Sequence, residues 1–546
     1  MVDIHHQEHL LSGLTLNFKK KKAIYTMKNY LIKTKWSIAV VFITLILTSC
    51  SKEFLDRPPE DSFNVTEFFQ TDAQIEASSN FMYSVPWYRY VSEYQWVIGE
   101  LSGGTGRTWD PRNQDFDLFA VTGNHPALNG AWASLYGVVA QANGVLNTMP
   151  ETATEGVSQA VINNARGEIR AMRALSYFHL VRIFGSVPII ENNAELVTES
   201  FIPRHLVADV YTFIKNDLQY AIDNISNTKS SAPGRISSNG AKALLSKVHL
   251  TLKEYPQAYQ LSSEVIASGE FGLLGGTAED GVAGSYGDLF LTANNNNRES
   301  IIAHQWSTSG EFAQGNAVQS FYALSGITGF ADGYSAIGPS LDLQETYEDT
   351  ELDQRYKATI MEPGAIYPNL NGGYTVSTSQ EAVNAQGTLR ALKKYVVGTP
   401  GSNGGGGMGS YPNNTYALRY ADVLLIHAEA IIMGGGGSIT EAEGSVNKIR
   451  NRAGLASITS PTFEDVFKER KLEFAFEMVH WFDAIRRDDA TTYLSNIERG
   501  WYQNADVNDI FSRKVTVTEE KLLFPYPTNE TINNPALLEA PVPYFN

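Results

Sequence analysis

Glu168-Ile-Arg-Ala-Met-Arg-Ala-Leu-Ser-Tyr-Phe-His-Leu-Val-Arg-Ile-Phe-Gly-Ser-Val-Pro-Ile-Ile190 is the stretch whose reading decides the fold of this 546-residue chain. Ala171, Ala174, Leu175, Phe178 and Val181 recur at three and four residues, the spacing of one apolar face of an α-helix. Arg166, Arg170 and Arg173 fall on another face. Gly185 and Pro188 supply the stop chemistry that ends a helix, so the pattern predicts a helix over about 160–184.

Working outward, helical spacing is also present over about 131–148 and 205–222. The segments 239–252 and 256–268 are joined by a short turn, with Ala241, Ala243, Ala258 and Ala267 allowing close approach. Closely packed helix pairs of this kind read as tetratricopeptide-like units, although the repeat consensus is only partly met. Helical signal begins near Thr66 and resumes at Tyr416, where Leu418, Ala421, Leu425, Ala428 and Ile432 share a face; Gly434 to Gly437 close that helix and 440–453 makes its partner. A last long helix is predicted over about 463–487, with Leu472, Ala475, Phe476, Val479 and Phe482 on one side. The expected fold is mainly α, a tetratricopeptide-like helix-hairpin scaffold at about 65–86, 131–268 and 416–490 with long ordered loops and a few short strands.

Two regions interrupt the scaffold. Residues 87–124 are rich in glycine and aromatics (Trp87, Tyr88, Tyr90, Tyr94, Trp96, Trp109), and 270–410 holds four consecutive asparagines and many glycines. Ser300 to Trp306 could be a strand. Abundant aromatics favour function over disorder in such loops. The cluster Gly404 to Gly407 is not followed by Lys-Ser or Lys-Thr, so it reads as a loop tip rather than a phosphate cradle.

Composition bounds the partners. With 43% apolar and 18% charged residues the body is a folded one, and a net charge of −17 argues against binding a phosphate backbone, so no nucleic acid is expected. Seven lysines against Asp3 and Glu8 precede Cys50, so the rest of the chain is more acidic still. Cys50 is the single cysteine and cannot form an internal disulfide. Lys28, Lys33 and Lys35 followed by the apolar run Ile38 to Leu47 form the basic and hydrophobic parts of a secretory signal, about half the length of a membrane span. Ending in Leu47-Thr48-Ser49-Cys50, this signal resembles a bacterial lipobox, which makes Cys50 the lipidated residue. The expected organisation is a signal peptide over 1–49, with Met27 as the true start, a lipidated tether over 50–64 and one domain over 65–546.

Catalytic signals are weak. Glu469, Glu473 and Glu477 line one stripe of the predicted last helix, and Glu477 with His480 has the Glu-x-x-His spacing of di-iron proteins. A second such motif is missing after Cys50, so pairing of these acids with arginines is the preferred reading. Asp110, Asp115 and Asp117 lack calcium-loop spacing, and no nucleophile elbow, zinc motif or cysteine nucleophile is present. No catalytic residue, metal or cofactor is therefore expected.

Several segments together carry a resemblance. The opening stretch, Gly234-Arg-Ile-Ser237, Leu418-Arg-Tyr-Ala-Asp-Val-Leu-Leu425, Ile449-Arg-Asn-Arg-Ala-Gly-Leu455, Glu469-Arg-Lys-Leu-Glu-Phe-Ala-Phe-Glu477 with His480-Trp-Phe-Asp483, and Leu522-Leu-Phe-Pro-Tyr-Pro527 resemble, in order, the motifs of the SusD/RagB family of outer-membrane nutrient-binding lipoproteins. The resemblance implies a lipid-anchored protein on the outer membrane of a Bacteroidetes-type bacterium, facing the cell exterior. It also implies a TonB-dependent SusC-like transporter as partner, which the protein caps as a lid and supplies with glycan. A peptide-binding member of the same family is the alternative, and a lipid-anchored glycoside hydrolase stands third. The matched motifs are scaffold and leave the ligand residues to chemistry. Sugar recognition needs flat aromatics flanked by hydrogen-bonding groups, and Trp109 beside Arg107 and Asp110, with Trp306 and Tyr334 from the second region, are the candidates, expected to meet in one shallow site.

Overall fold

Several helices in this protein start on side chains that satisfy the first free backbone N–H groups. A computed structural model describes residues 68–545 apart from 109, 200, 276–284, 309–313, 325, 328–332, 371, 379–389, 399–408 and 503–509. Cys50 with its signal and tether, Trp109, and Gly404 to Gly407 lie outside the described residues. Helix α1 (Asp72–Asn80) starts on a Thr71–Gln74 capping box, and α2 (Pro126–Thr148) starts where the His125 ring accepts from the Ala127 N–H. Ser158 caps α3 (Gln159–Phe184), which stops at Gly185 with a φ of 75°. Then follow α4 (Val207–Asn224), α5 (Ser238–Thr251) and α6 (Tyr255–Ala267). After the long second loop region come α7 (Tyr420–Ile432), α8 (Ile439–Ala453), α9 (Phe463–Glu473) and the short α10 (His480–Ala484).

From α2 to α6 each helix packs on the next in sequence; α6 then packs on α7, and α7 on α8. That nearest-neighbour stacking is the tetratricopeptide-like scaffold, and it runs through Phe69–Asn546 as one unit. The central member is α3, buried from Ala165 through Val181 apart from Arg170. The arginines read as a separate face are therefore largely interior. Arg173 pairs with Asp217 through Nε at 2.8 Å and takes Asn143 Oδ1 at 2.7 Å, while Arg166 donates to the Leu146 carbonyl at the end of α2.

The strands are short and antiparallel. β1 (Gly106–Arg107) pairs with β3 (Gly338–Pro339), and β2 (Ser300–His304) pairs with β4 (Thr415–Arg419). Ser300 to His304 is a strand as expected, but so are the first residues assigned to α7, which starts four residues later than predicted. Two further expectations are corrected. The 87–101 stretch is not loop: it winds as successive tight and wide turns, with π-helical segments at Arg89–Tyr94 and Val97–Leu101. Its aromatics are core, Trp87, Tyr90 and Trp96 being at most 1% exposed, rather than surface residues.

The predicted long helix over 463–487 is broken. Phe476 and Met478 take the left-handed region at φ 61° and 66°, which turns the chain between α9 and α10. A buried carboxylate, Glu100, accepts the Met478 N–H, and Gly99 lies so close that a Cβ there would sit 2.3 Å from the Met478 carbonyl oxygen. The turn also aims Glu477 away from the α9 stripe and onto Arg419. Arg419 donates from Nε to Glu477 at 2.8 Å, from Nη1 to Glu299 at 2.7 Å and from Nη2 to the Glu473 carbonyl at 2.9 Å, all buried. Arg452 donates to Glu299 at 2.6 Å and also to Glu473, and Arg355 holds Glu469 at 2.6 Å. The acids of the stripe are thus bound by arginines. His480, held by the Tyr493 hydroxyl at 3.0 Å and pushed down to about 3 by burial, belongs to the core.

Candidate functional site

The pairing of β1 with β3 brings the two loop regions together. Thr108 Oγ1 donates to the Ala336 carbonyl at 2.9 Å, and Ser340 N–H donates to the Thr105 carbonyl at 2.9 Å. Beside this junction opens a cleft of about 670 Å³, with Tyr94 and Trp96 from the π-helical stretch, Asp110 and Arg112 from the first region, and Phe321 and Tyr334 from the second.

One wall is a slope of aromatic rings from interior to solvent. Trp96 and Phe321 lie with centroids 5.5 Å apart, and Phe321 and Tyr334 lie 5.8 Å apart at 61°. Trp96 is buried, Phe321 half-buried and Tyr334 55% exposed, so the outermost ring is the one a ligand can reach. Tyr94 packs over α2 at Gly130, where a Cβ would sit 1.9 Å from its ring.

The opposite edge is polar. Arg112 grips Asp110 with a fork, Nε to Oδ1 at 3.0 Å and Nη2 to Oδ2 at 2.6 Å, and its hydrogen bonds hold the Asp110 carboxyl below the usual range. Thr108 Oγ1 accepts the Asp110 N–H at 3.0 Å, which fixes the carboxylate's backbone. The His125 ring spans from the Ala127 N–H to the Arg112 carbonyl at 2.7 Å and anchors the same turn to the start of α2. Arg112 itself is 85% exposed along its side chain and can donate outward. An apolar ring surface bordered by a carboxylate, a guanidinium and the Asn113 amide suits a ligand with flat apolar faces and hydroxyl edges.

The five ligand candidates divide accordingly. Asp110 and Tyr334 line this cleft. Trp109 lies outside the described residues. Arg107 belongs to the strand pair itself and is 1% exposed, and burial pushes its guanidinium down to about 9 against the pull of Asp117. Trp306 is interior too, its indole donating to Thr415 Oγ1 at 3.0 Å and its ring meeting Tyr88 edge-on at 6.2 Å. Both therefore sit away from the cleft surface. Residue reasoning missed Tyr94, Phe321 and Arg112. The Asp110-x-Arg112 spacing was a usable signal, because a carboxylate two residues before an arginine can accept its fork. Nothing local marks Phe321, which reaches the cleft through the short helix Val318–Tyr322.

Comparisons with known proteins agree along the chain. A model of the SusD family matches residues 293–543, and a model described as starch-binding and associating with the outer membrane matches residues 53–250. A SusD-like protein of Bacteroides ovatus is 33% identical over 93% of this chain and 98% of its own length. A crystal structure with xylogluco-oligosaccharide is similar at 31% identity and a TM-score of 0.75, covering 86% of this chain and 99% of that one. A laminarin-binding SusD-like protein is similar at 26% identity and a TM-score of 0.65, covering 85% of this chain and 98% of its own.

Proposed function

Because this chain belongs to the SusD family, we propose that it is a non-catalytic outer-membrane lipoprotein that binds an oligo- or polysaccharide in the Tyr334 cleft. Anchored through Cys50 and facing the cell exterior, it delivers that glycan to a TonB-dependent SusC-like transporter, which it covers as a lid. The observation that carries the reading is the aromatic slope ending in exposed Tyr334 with the Asp110–Arg112 pair along its border. The xylogluco-oligosaccharide in one similar structure and the laminarin binding of another support a glycan over a peptide. Trp109, next in sequence to Asp110, remains a proposed contact.

Isothermal titration of the full chain against xyloglucan and laminarin oligosaccharides and a peptide panel tests the reading. Truncating a true anchor costs on the order of 2 kcal/mol, so Tyr334→Ala should weaken glycan binding by tenfold or more. Trp306→Ala should lower the melting temperature and leave affinity alone. Unchanged affinity in both Tyr334→Ala and Asp110→Ala would remove the cleft as the site. Binding of peptides alone would favour the peptide-binding alternative, and turnover of a bound oligosaccharide would make the protein a hydrolase.

A further inference from the structure

In an acidic chain with a net charge of −17, one pattern among the described lysines is pairing with a carboxylate; Lys242 holds Glu264, Lys247 holds Asp422 and Lys471 holds Asp342. Lys357 and Lys393 depart from it. Neither forms an ion pair among the described residues, and both line one cleft of about 260 Å³ that shares no residue with the Tyr334 cleft.

Among the described residues, three lysines and one carboxylate, Asp288, line that second cleft. Lys393 is half-buried and donates once, to the Val396 carbonyl at 2.9 Å, which leaves two of its ammonium protons unassigned. Burial pushes it down to about 8, so it remains a cation at neutral pH. Lys357 is exposed at the end of the short helix Gln354–Thr359. Among the described residues, the other charged groups lining the cleft are Asp288 and Lys394. Asp288 caps its own turn by accepting the Ser285 N–H at 2.8 Å. Lys394 is saturated by the Tyr286 hydroxyl at 2.9 Å, Glu477 at 3.1 Å and the Glu473 carbonyl. The half-buried ring of Tyr367 and the amide of Asn369 complete the wall. Two uncommitted ammonium groups beside an aromatic face and an amide are complementary to a sugar ring that carries an oxyanion.

We propose that the Lys357–Lys393 cleft is a second saccharide site, taking the carboxylate of an acidic sugar on its two ammonium groups and the ring on Tyr367. It is independent of the neutral-glycan cleft, and the two fail separately. The test is ligand-observed saturation-transfer NMR on the full chain with sodium glucuronate, sodium galacturonate, sodium sulfate and glucose, at ionic strength fixed with sodium chloride. At least one uronate should show saturable binding that glucose does not. Lys357→Ala with Lys393→Met should weaken it by tenfold or more, while Tyr334→Ala leaves it unchanged. The absence of saturable uronate binding, sulfate binding without either uronate, or equal uronate affinity in the double variant would each overturn the assignment. A matching circular dichroism spectrum and melting temperature in the double variant keep a loss of binding from being a loss of fold.

Discussion

At the scale of single residues, Glu100 is a buried acid whose ionisation is strongly shifted. It is fully buried, it accepts from Thr105 and the Met478 N–H, and burial lifts its carboxyl from 4.5 to about 7. An acid whose folded pKa exceeds its unfolded value favours the folded state while protonated, and that contribution fades as pH rises from about 4.5 through 7. The shift corresponds to on the order of 3 kcal/mol. Urea midpoints of the native protein should therefore carry a downward slope over this window that Glu100→Gln removes; parallel pH profiles would contradict the assignment. The carboxylate had no signal in the sequence, being one acid in an aromatic stretch. Its role exists only because Gly99 admits the Met478 backbone at a distance no side chain could share.

At the scale of elements, the scaffold helices were legible and their interruptions were not. The 3.6-residue period located α2 to α6 to within a few residues, because apolar spacing and caps are local. Residues 463–487 contain neither glycine nor proline, so nothing local marks the break after Glu473. The break is imposed from outside, by Glu100 on one side and Arg419 on the other. Likewise Thr415–Arg419 continues the helical pattern of α7, yet becomes a strand because Ser300–His304 offers it a ladder. Of the site, the two loop regions and the residues Asp110 and Tyr334 could be chosen from the sequence, whereas aromatic density alone could not separate Trp306, a core residue, from a platform. The arginine network yields the prediction at this scale. Burial alone would raise the Glu473 carboxyl, but Arg452, Arg419 and Arg355 outweigh it and hold it down to about 2. Its stabilisation is thus complete above about 4.5 and lost as pH falls toward 2, opposite in sign to Glu100. Glu473→Gln leaves buried guanidinium charge short of a partner and should cost about 3–5 kcal/mol at pH 7, a penalty that shrinks at acid pH in thermal unfolding.

At the scale of the whole molecule, the proposed anchor and the described body are tested separately. Cys50 precedes the described residues, and the unit Phe69–Asn546 carries both clefts. Cys50→Ala should leave glycan affinity and melting temperature unchanged while the protein is released from the membrane fraction. Retention in the outer membrane without a partner barrel would refute the anchor. The buried arginine network has a further consequence for how such a body is made. Among its members, Glu299 lies just before β2, Arg419 in β4, Arg452 in α8 and Glu473 in α9, so each charge waits on a partner encoded far away. Burying one alone costs several kcal/mol, so a partly assembled network is disfavoured. The network therefore closes as a unit, once every segment that contributes a charge is in place.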